Sequence, residues 1–312
     1  MAADRGEGGM LYWTGTAAVG TEGAQKDQAE KLRLIMKDKT DKVGTLRREP
    51  RVITISSGKG GVGKTNIAIN LAIAFAEIGK KVVVMDADLG LANVNVILGI
   101  IPKFNLYHVI KKQKKIREII VDTQYGIQII AGASGFAQLA NLTEDERLAF
   151  VEGLKDLSYA DYIFIDTGAG VSPNVLSFLK AADEAIIVTT PEPTAITDAY
   201  GIIKSISTEM NGQNIRLVVN RVGSVMEGKR VAERVINIAG QFLNIKVDNL
   251  GFVFEDTVVQ RAVIKQDPFI KSAPNSKASL AIKHIMSRLA HIEYQDEGGL
   301  GKFLKNFFTG RI

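Results

Sequence analysis

The run Val52-Ile-Thr-Ile-Ser-Ser-Gly58-Lys-Gly-Gly-Val-Gly-Lys-Thr65 decides the fold. Its first half is apolar and rich in β-branched residues, which predicts a buried strand at 52–56. Its second half is Gly58, Lys59, Gly60, Gly61, Val62, Gly63, Lys64 and Thr65, which satisfies G-x-x-x-x-G-K-[ST]. Asn66 then opens an apolar, helix-periodic segment at 66–78 that stops at Gly79, a residue suited to a helical C-cap. Strand, glycine loop and helix in this order make a phosphate cradle. The glycines let backbone N–H groups wrap the anion, and the helix N-terminus adds positive potential. Lys64 would reach β- and γ-phosphates, and the Thr65 hydroxyl would ligate Mg²⁺.

Outward from this loop the chain alternates between strand and helix patterns. Apolar runs at 82–85, 127–130, 162–165, 185–189 and 216–220 predict strands, with a further one at 251–254. Helices fit at 143–157, where Thr143 and Glu146 stand in capping-box spacing, and at 172–181, 195–209, 226–243 and 276–291. This repetition predicts an α/β fold, a doubly wound and mostly parallel β-sheet with helices on both faces. That domain spans 50–293. Before it, residues 1–25 are Gly-, Ala- and Thr-rich and expected to be disordered, and 26–49 read as a short helix with a charged linker. After it, 294–312 read as a polar hinge and a second amphipathic helix.

Composition removes several classes. With no cysteine, the chain has no disulfide, thiolate zinc site, Fe–S cluster or cysteine nucleophile. The net charge of +5 over 312 residues is too small to argue for nucleic acid. The basic run at 111–115 lacks interleaved aromatics and reads as a solvated or partner-facing surface. His108, His284 and His291 show no convincing metal-ligand spacing. No secretory signal or spanning segment is evident, so a soluble protein with at most peripheral membrane contact is expected.

The lysine at position 59 narrows the reading. Lys-Gly-Gly-Val-Gly-Lys-Thr is the deviant form of the phosphate loop, and through it the chain resembles the MinD/ParA/NifH-like ATPases. The resemblance implies ATP and Mg²⁺ as cofactors and an ATP-sandwiched homodimer, with Lys59 contacting the phosphates held by the other subunit. Asp86 and Asp88 follow the strand at 82–85. By resemblance Asp86 belongs to the metal shell with Thr65, and Asp88 orients the attacking water beside the catalytic Lys59 and Lys64. Asp166, in Ile-Asp-Thr-Gly-Ala-Gly170, matches the family's second switch and a further metal-shell role. Asn220 and Arg221 end another strand where the family reads adenine with an amide and a stacked side chain. Phe254-Glu-Asp256 sits where relatives carry Pro-Glu-Asp, so this adenine loop departs from the pattern. Asp198 matches a position near the dimer interface that can pair with the early lysine.

The two ends separate members of the family. Leu300, Phe303, Leu304, Phe307 and Phe308 fall on one helical face, and from Gly298 onward Lys302, Lys305 and Arg311 are unopposed by any acid. A short, basic, phenylalanine-rich helix beyond a glycine hinge suits an anionic membrane surface, which agrees with the membrane-targeting tail of MinD-like ATPases. At the other end Asp27, Gln28, Leu32 and Arg33 resemble the activator helix of the flagellar MinD-like ATPases. In that group the segment stimulates an FlhF-type, signal-recognition-class GTPase, with the glutamine working at its active site. The resemblance therefore implies a regulator of flagellar number and placement, reversibly bound to the inner face of the cell membrane. Flagellar basal-body or transcriptional proteins are further candidate partners. A division-site MinD, which lacks the N-terminal helix, and a DNA-segregating ParA are the alternatives.

Overall fold

The computed structural model describes residues 49–88, 93–132, 153–207 and 214–292. All belong to the unit Arg48–Ile312. The segments holding Asp27, Gln28, Leu32 and Arg33, the tail with Leu300, Phe303, Leu304, Phe307 and Phe308, and most of the helix expected at 143–157 lie outside the described residues.

Among the described residues the strands are β1 (Arg51–Ser57), β2 (Val82–Ala87), β3 (Ile120–Asp122), β4 (Gln128–Ile130), β5 (Tyr162–Ala169), β6 (Glu184–Thr189), β7 (Asn214–Val222) and β8 (Val247–Phe254). They form one sheet in the order β3-β4-β2-β5-β1-β6-β7-β8. Of these pairings only β3–β4 is antiparallel. The longer helices are α1 (Lys64–Glu77), α5 (Pro173–Ala181), α6 (Pro193–Ser207), α7 (Val225–Leu243), α8 (Thr257–Lys265) and α10 (Lys277–Ala290). Short pieces are α2 (Val94–Ile97), α3 (Leu106–Ile110), α4 (Ile116–Ile119) and α9 (Phe269–Ser272).

Side chains that alternate along the strands feed opposite layers. Ile53, Val82, Val84, Ile186, Val188 and Val218 pack with α1, α9 and α10. On the other face Val83, Met85 and Ile163 meet α3 and α4, while Ala185, Ile187, Leu217 and Val219 meet α5, α6 and α7. A period-2 structure buried on both sides must be apolar at every position, which is why these strands read as unbroken hydrophobic runs. The sheet is therefore doubly wound, and the central strand β1, between β5 and β6, delivers the glycine loop at its carboxyl end.

Helix ends follow local chemistry. Ser172, Ser224, Asp256 and Ser276 each accept a backbone N–H bond at the start of α5, α7, α8 and α10. At the end of α1, Gly79 takes φ 78°, Gly79 N–H donates to Ala76 O and Lys80 N–H to Phe75 O. This is the Schellman arrangement expected of the glycine there. Helix α8 has no counterpart in the sequence reading. Its Thr-Val-Val start is rich in β-branched residues, and the Asp256 cap rather than propensity establishes it.

Candidate nucleotide site

Helix α1 begins at Lys64 with no side-chain cap, since its N-cap is Gly63, which has no side chain and is left-handed at φ 93°. The first N–H groups of the helix thus lie open toward the loop. A Cβ on Gly63 would collide with the Asn220 amide nitrogen, so glycine is required both by conformation and by space. Asn220 clamps the loop: its Nδ2 donates to Val62 O at 2.7 Å, and its Oδ1 accepts from Arg221 N–H at 2.9 Å. On the other side, the backbone of Asp198 crosses directly over Gly58, where any Cβ would overlap it.

Parallel pairing assembles the carboxylates. Asp86 on β2 stands opposite Asp166 on β5, and Asp166 stands opposite Ile55 on β1. The two acids are fully buried, and Lys64 is only 7% exposed. Asp86 Oδ1 accepts from Asp88 N–H at 3.0 Å, and its Oδ2 accepts from Asn93 and Val94 N–H at 2.9 and 3.1 Å. Those bonds favour its charged form, yet desolvation dominates and raises it to about 6. Burial, reinforced by Asp86, raises Asp166 to about 7. The Thr65 hydroxyl lies near enough to draw Asp166 back toward ionisation, but among the described residues neither carboxylate oxygen has a hydrogen bond of normal geometry. Burial also lowers Lys64, opposed by Asp166 and Asp88.

A pair of buried carboxylates, one with both oxygens unsatisfied, is the electrostatic signature of a place made for a cation. Among the described residues no three His, Asp or Glu side chains converge tightly enough to cage a bare ion. Such a set suits Mg²⁺, which keeps several waters and takes its other ligands from a hydroxyl and phosphate oxygens. Thr65, Asp86 and Asp166 fit that role. Asp88 sits at the end of β2 with its carboxylate against Gly168 of the second switch.

Within the single chain Lys59 pairs elsewhere than with the Asp198 side chain. Its ammonium donates to Glu192 Oε2 at 2.6 Å and Thr194 Oγ1 at 3.0 Å, at the start of α6. The hydrogen bond from Lys59 holds the Glu192 carboxyl below its usual range. Glu192 and Thr194 escaped the sequence reading, because a Thr-Pro-Glu-Pro-Thr stretch reads only as a helix entry.

Beside the loop lies a cavity of about 510 Å³ walled by Gly61, Gly63, Asn66, Asn220, Arg221, Phe254, Glu255 and α8. Arg221, itself left-handed at φ 58°, pairs with Glu255 at 2.8 Å across its rim. The phosphate loop lines this cavity through Gly61 and Gly63 and meets Asp166 and Asp88 through Lys64, an arrangement that suits a nucleoside triphosphate.

A family model described as an AAA domain matches residues 50–219. The antiactivator FleN of Pseudomonas aeruginosa is 37% identical over 240 residues, covering 77% of this chain and 86% of FleN. The flagellum site-determining protein YlxH of Helicobacter pylori is 39% identical over 266 residues, covering 83% of this chain and 88% of YlxH. The chain belongs to the MinD-like ATPase family that includes FleN and YlxH. Its fold agrees. The septum site-determining protein MinD of Pyrococcus horikoshii, solved with Mg-ADP, superposes with TM-score 0.65 at 28% identity, covering 77% of this chain and 96% of that one.

Proposed function

We propose that this protein is an Mg²⁺-dependent ATPase working as a switch in flagellar regulation. ATP binding joins two copies face to face, the joined pair holds the membrane through its C-terminal helices, and hydrolysis releases both. The observation that carries the reading is the disposition of the two lysines. Lys64 is buried against the carboxylates, whereas Lys59 stands at the surface, held by Glu192 and Thr194. An ammonium so placed is free to exchange that surface carboxylate for a phosphate brought by a second molecule, because an exposed ion pair contributes at most about 1 kcal/mol.

The geometry supports the following roles. Backbone N–H groups of 60–65 and Lys64 would hold the β- and γ-phosphates; Thr65, Asp86 and Asp166 would hold a hydrated Mg²⁺, which when bound would supply charge neutralisation. Asp88 orients the attacking water. The name of YlxH, a flagellum site-determining protein, supports the flagellar assignment. Among the described residues no helix is long and apolar enough to cross a membrane. Attachment is assigned to the apolar face of Leu300, Phe303, Leu304, Phe307 and Phe308. One short amphipathic helix binds marginally, and two on a dimer bind well, which makes membrane residence follow the nucleotide.

The flagellar part is tested by a peptide covering about residues 20–45. It raises the GTP turnover of an FlhF-type GTPase, since Leu32, Ile35 and Met36 form one docking face and the Gln28 amide can orient the hydrolytic water. Gln28→Ala keeps binding but loses stimulation, and Leu32→Asp loses both. Unchanged turnover with the peptide returns the protein to the general MinD-like group. The membrane part is tested with anionic liposomes and ATP. Phe303→Glu releases the protein, because burying such a side chain contributes about 1.5–3 kcal/mol. Equal sedimentation of wild type and variant refutes the anchor.

A further inference from the structure

Charge is distributed unevenly along the chain. Residues 103–118 hold six cations, Lys103, Lys111, Lys112, Lys114, Lys115 and Arg117, against the single acid Glu118. Their net of +5 equals that of the whole protein, so all other residues together are balanced. The segment contains α3, α4 and the turn between them. Part of this charge is satisfied locally. Arg117 pairs with Asp156 and Lys114 with Glu118, each at 2.8 Å. Lys103 and Lys114 stand over the Phe104 ring at 5.6 and 4.6 Å. Lys112 and Lys115 are exposed, and among the described residues neither ammonium makes an ion pair. Together with Val109, Ile116, Glu118 and Asp156 they line a groove of about 430 Å³. Val109 and Ile116 are buried and form its floor, with the lysines at its rim.

We propose that this groove docks an acidic peptide segment of a partner protein, with carboxylates set on either side of an apolar side chain. Two features of a peptide match the walls. Its carboxylates complement Lys112 and Lys115, whose methylene stems, with Val109 and Ile116 beneath, cover an apolar side chain between them. Its backbone N–H groups meet Glu118 and Asp156, which keep acceptor capacity beyond their own ion pairs. A DNA backbone brings only acceptors to those two carboxylates and is repelled by them. A bilayer presents a flat face to a recess, and the described chain leads toward the C-terminal tail from a different place. Ala290 and His291 share a cavity with Pro50, Arg51 and Tyr162, at the amino ends of β1 and β5. Helix α4 instead runs into β3, whose Ile120 pairs with Ile130 at the carboxyl end of β4. The turn that carries the lysines is preorganised. Lys112 is held left-handed at φ 56°, and the Gln113 and Lys114 N–H groups both donate to His108 O, at 2.8 and 3.0 Å.

Two substitutions remove the charges and keep the local fold. Lys112→Asn suits the left-handed position. Lys115→Ser stands at the N-cap of α4, where serine with Glu118 three residues on completes a capping box. The full chain and the double variant are titrated into a dye-labelled peptide of Glu-Glu-Leu repeats and into its Gln-Gln-Leu counterpart, with fluorescence anisotropy as the readout. Wild type binds the glutamate peptide, more weakly as salt rises. The double variant binds it about tenfold less, as the loss of two exposed charge pairs requires, and each single variant loses part of that. The glutamine peptide binds neither protein. Thermal unfolding and ATP turnover are the same in both, since neither lysine belongs to the nucleotide site. A DNA duplex and phosphatidylserine vesicles, run in parallel, show no such dependence on the two lysines. Absence of glutamate-peptide binding to wild type, or equal binding to the double variant, overturns the groove as a docking site. A larger loss for the duplex or the vesicles than for the peptide overturns the peptide as its occupant.

Discussion

Asp166→Asn makes the nucleotide-free protein more stable at pH 8 while abolishing its response to Mg²⁺. The aspartate is fully buried. Desolvation and the facing Asp86 raise it from 3.8 to about 7. A carboxyl whose folded value lies above its unfolded one favours folding while protonated. Its contribution is whole below pH 4, declines as pH climbs, and is gone once pH passes about 7. Asp86, raised to about 6, loses its share over a lower part of the same window. Above pH 7 both charges are thus held at a cost, in a place where only a cation relieves it. The full linkage for Asp166 would be about 4 kcal/mol. Coupling to Asp86 and local relaxation reduce it, and about 2 kcal/mol is expected, worth roughly 5 °C in Tm for a domain of this size. Thermal unfolding in EDTA, compared at pH 5 and pH 8, checks this. Wild type loses stability toward pH 8 and the variant loses less. The same variant binds nucleotide equally with and without Mg²⁺. A variant that follows the wild-type pH profile would falsify the reading of Asp166 as a charge awaiting a cation.

The site divides into what local sequence specifies and what only the sheet can specify. The glycine loop was legible because its motif, its strand and its helix are contiguous, and every part is fixed by short-range chemistry. Asp86, Asp88 and Asp166 were legible as residues ending strands. That Asp86 faces Asp166 depends on β2 and β5 being neighbours, with a register no local pattern contains. Asn220 likewise reaches the Val62 carbonyl, 158 residues away in the chain, only because β7 lies two strands from β1. Glu192 was invisible for a related reason. An exposed glutamate in a proline-rich turn has no signature until Lys59 is found beside it. Helix α8 was missed because most of its nine residues, Thr257, Val258, Val259, Val263 and Ile264, are β-branched. The Asp256 cap, with the burial of Ala262 and the partial burial of Val258 and Val259, outweighs that preference. Without α8 in the sequence pattern, the apolar wall of the cavity stayed hidden.

Asp88→Ala and Lys59→Ala should fail in opposite ways, and that opposition tests the switch. Without the Asp88 carboxylate the phosphate cradle is expected to persist, because β1, α1 and the Asn220 bond to Val62 O still hold the loop. ATP still binds, the attacking water loses its orienting acceptor, and turnover falls about 100-fold. A nucleotide that persists keeps two copies together, so Asp88→Ala accumulates as dimer in ATP and Mg²⁺. Lys59→Ala keeps the cradle too, for it removes only the exposed tether to Glu192 and Thr194, while the Ser57 Oγ bond to Lys59 O and the Asn220 bond to Val62 O remain. It loses the cation that would reach a second molecule's phosphate, and buried phosphate charge at a subunit contact without that partner is strongly unfavourable. The variant therefore stays monomeric with ATP, and its turnover is as low as that of Asp88→Ala for a different reason. Glu192→Gln separates the cis contact from the trans one. By releasing Lys59 from its surface carboxylate it shifts dimerisation to lower protein concentration, by less than about tenfold, as befits an exposed pair. Gel filtration with ATP and Mg²⁺ reads all three. A wild-type-like dimer from Lys59→Ala would remove the trans lysine from the mechanism. A monomeric Asp88→Ala would mean that hydrolysis does not set the lifetime of the pair.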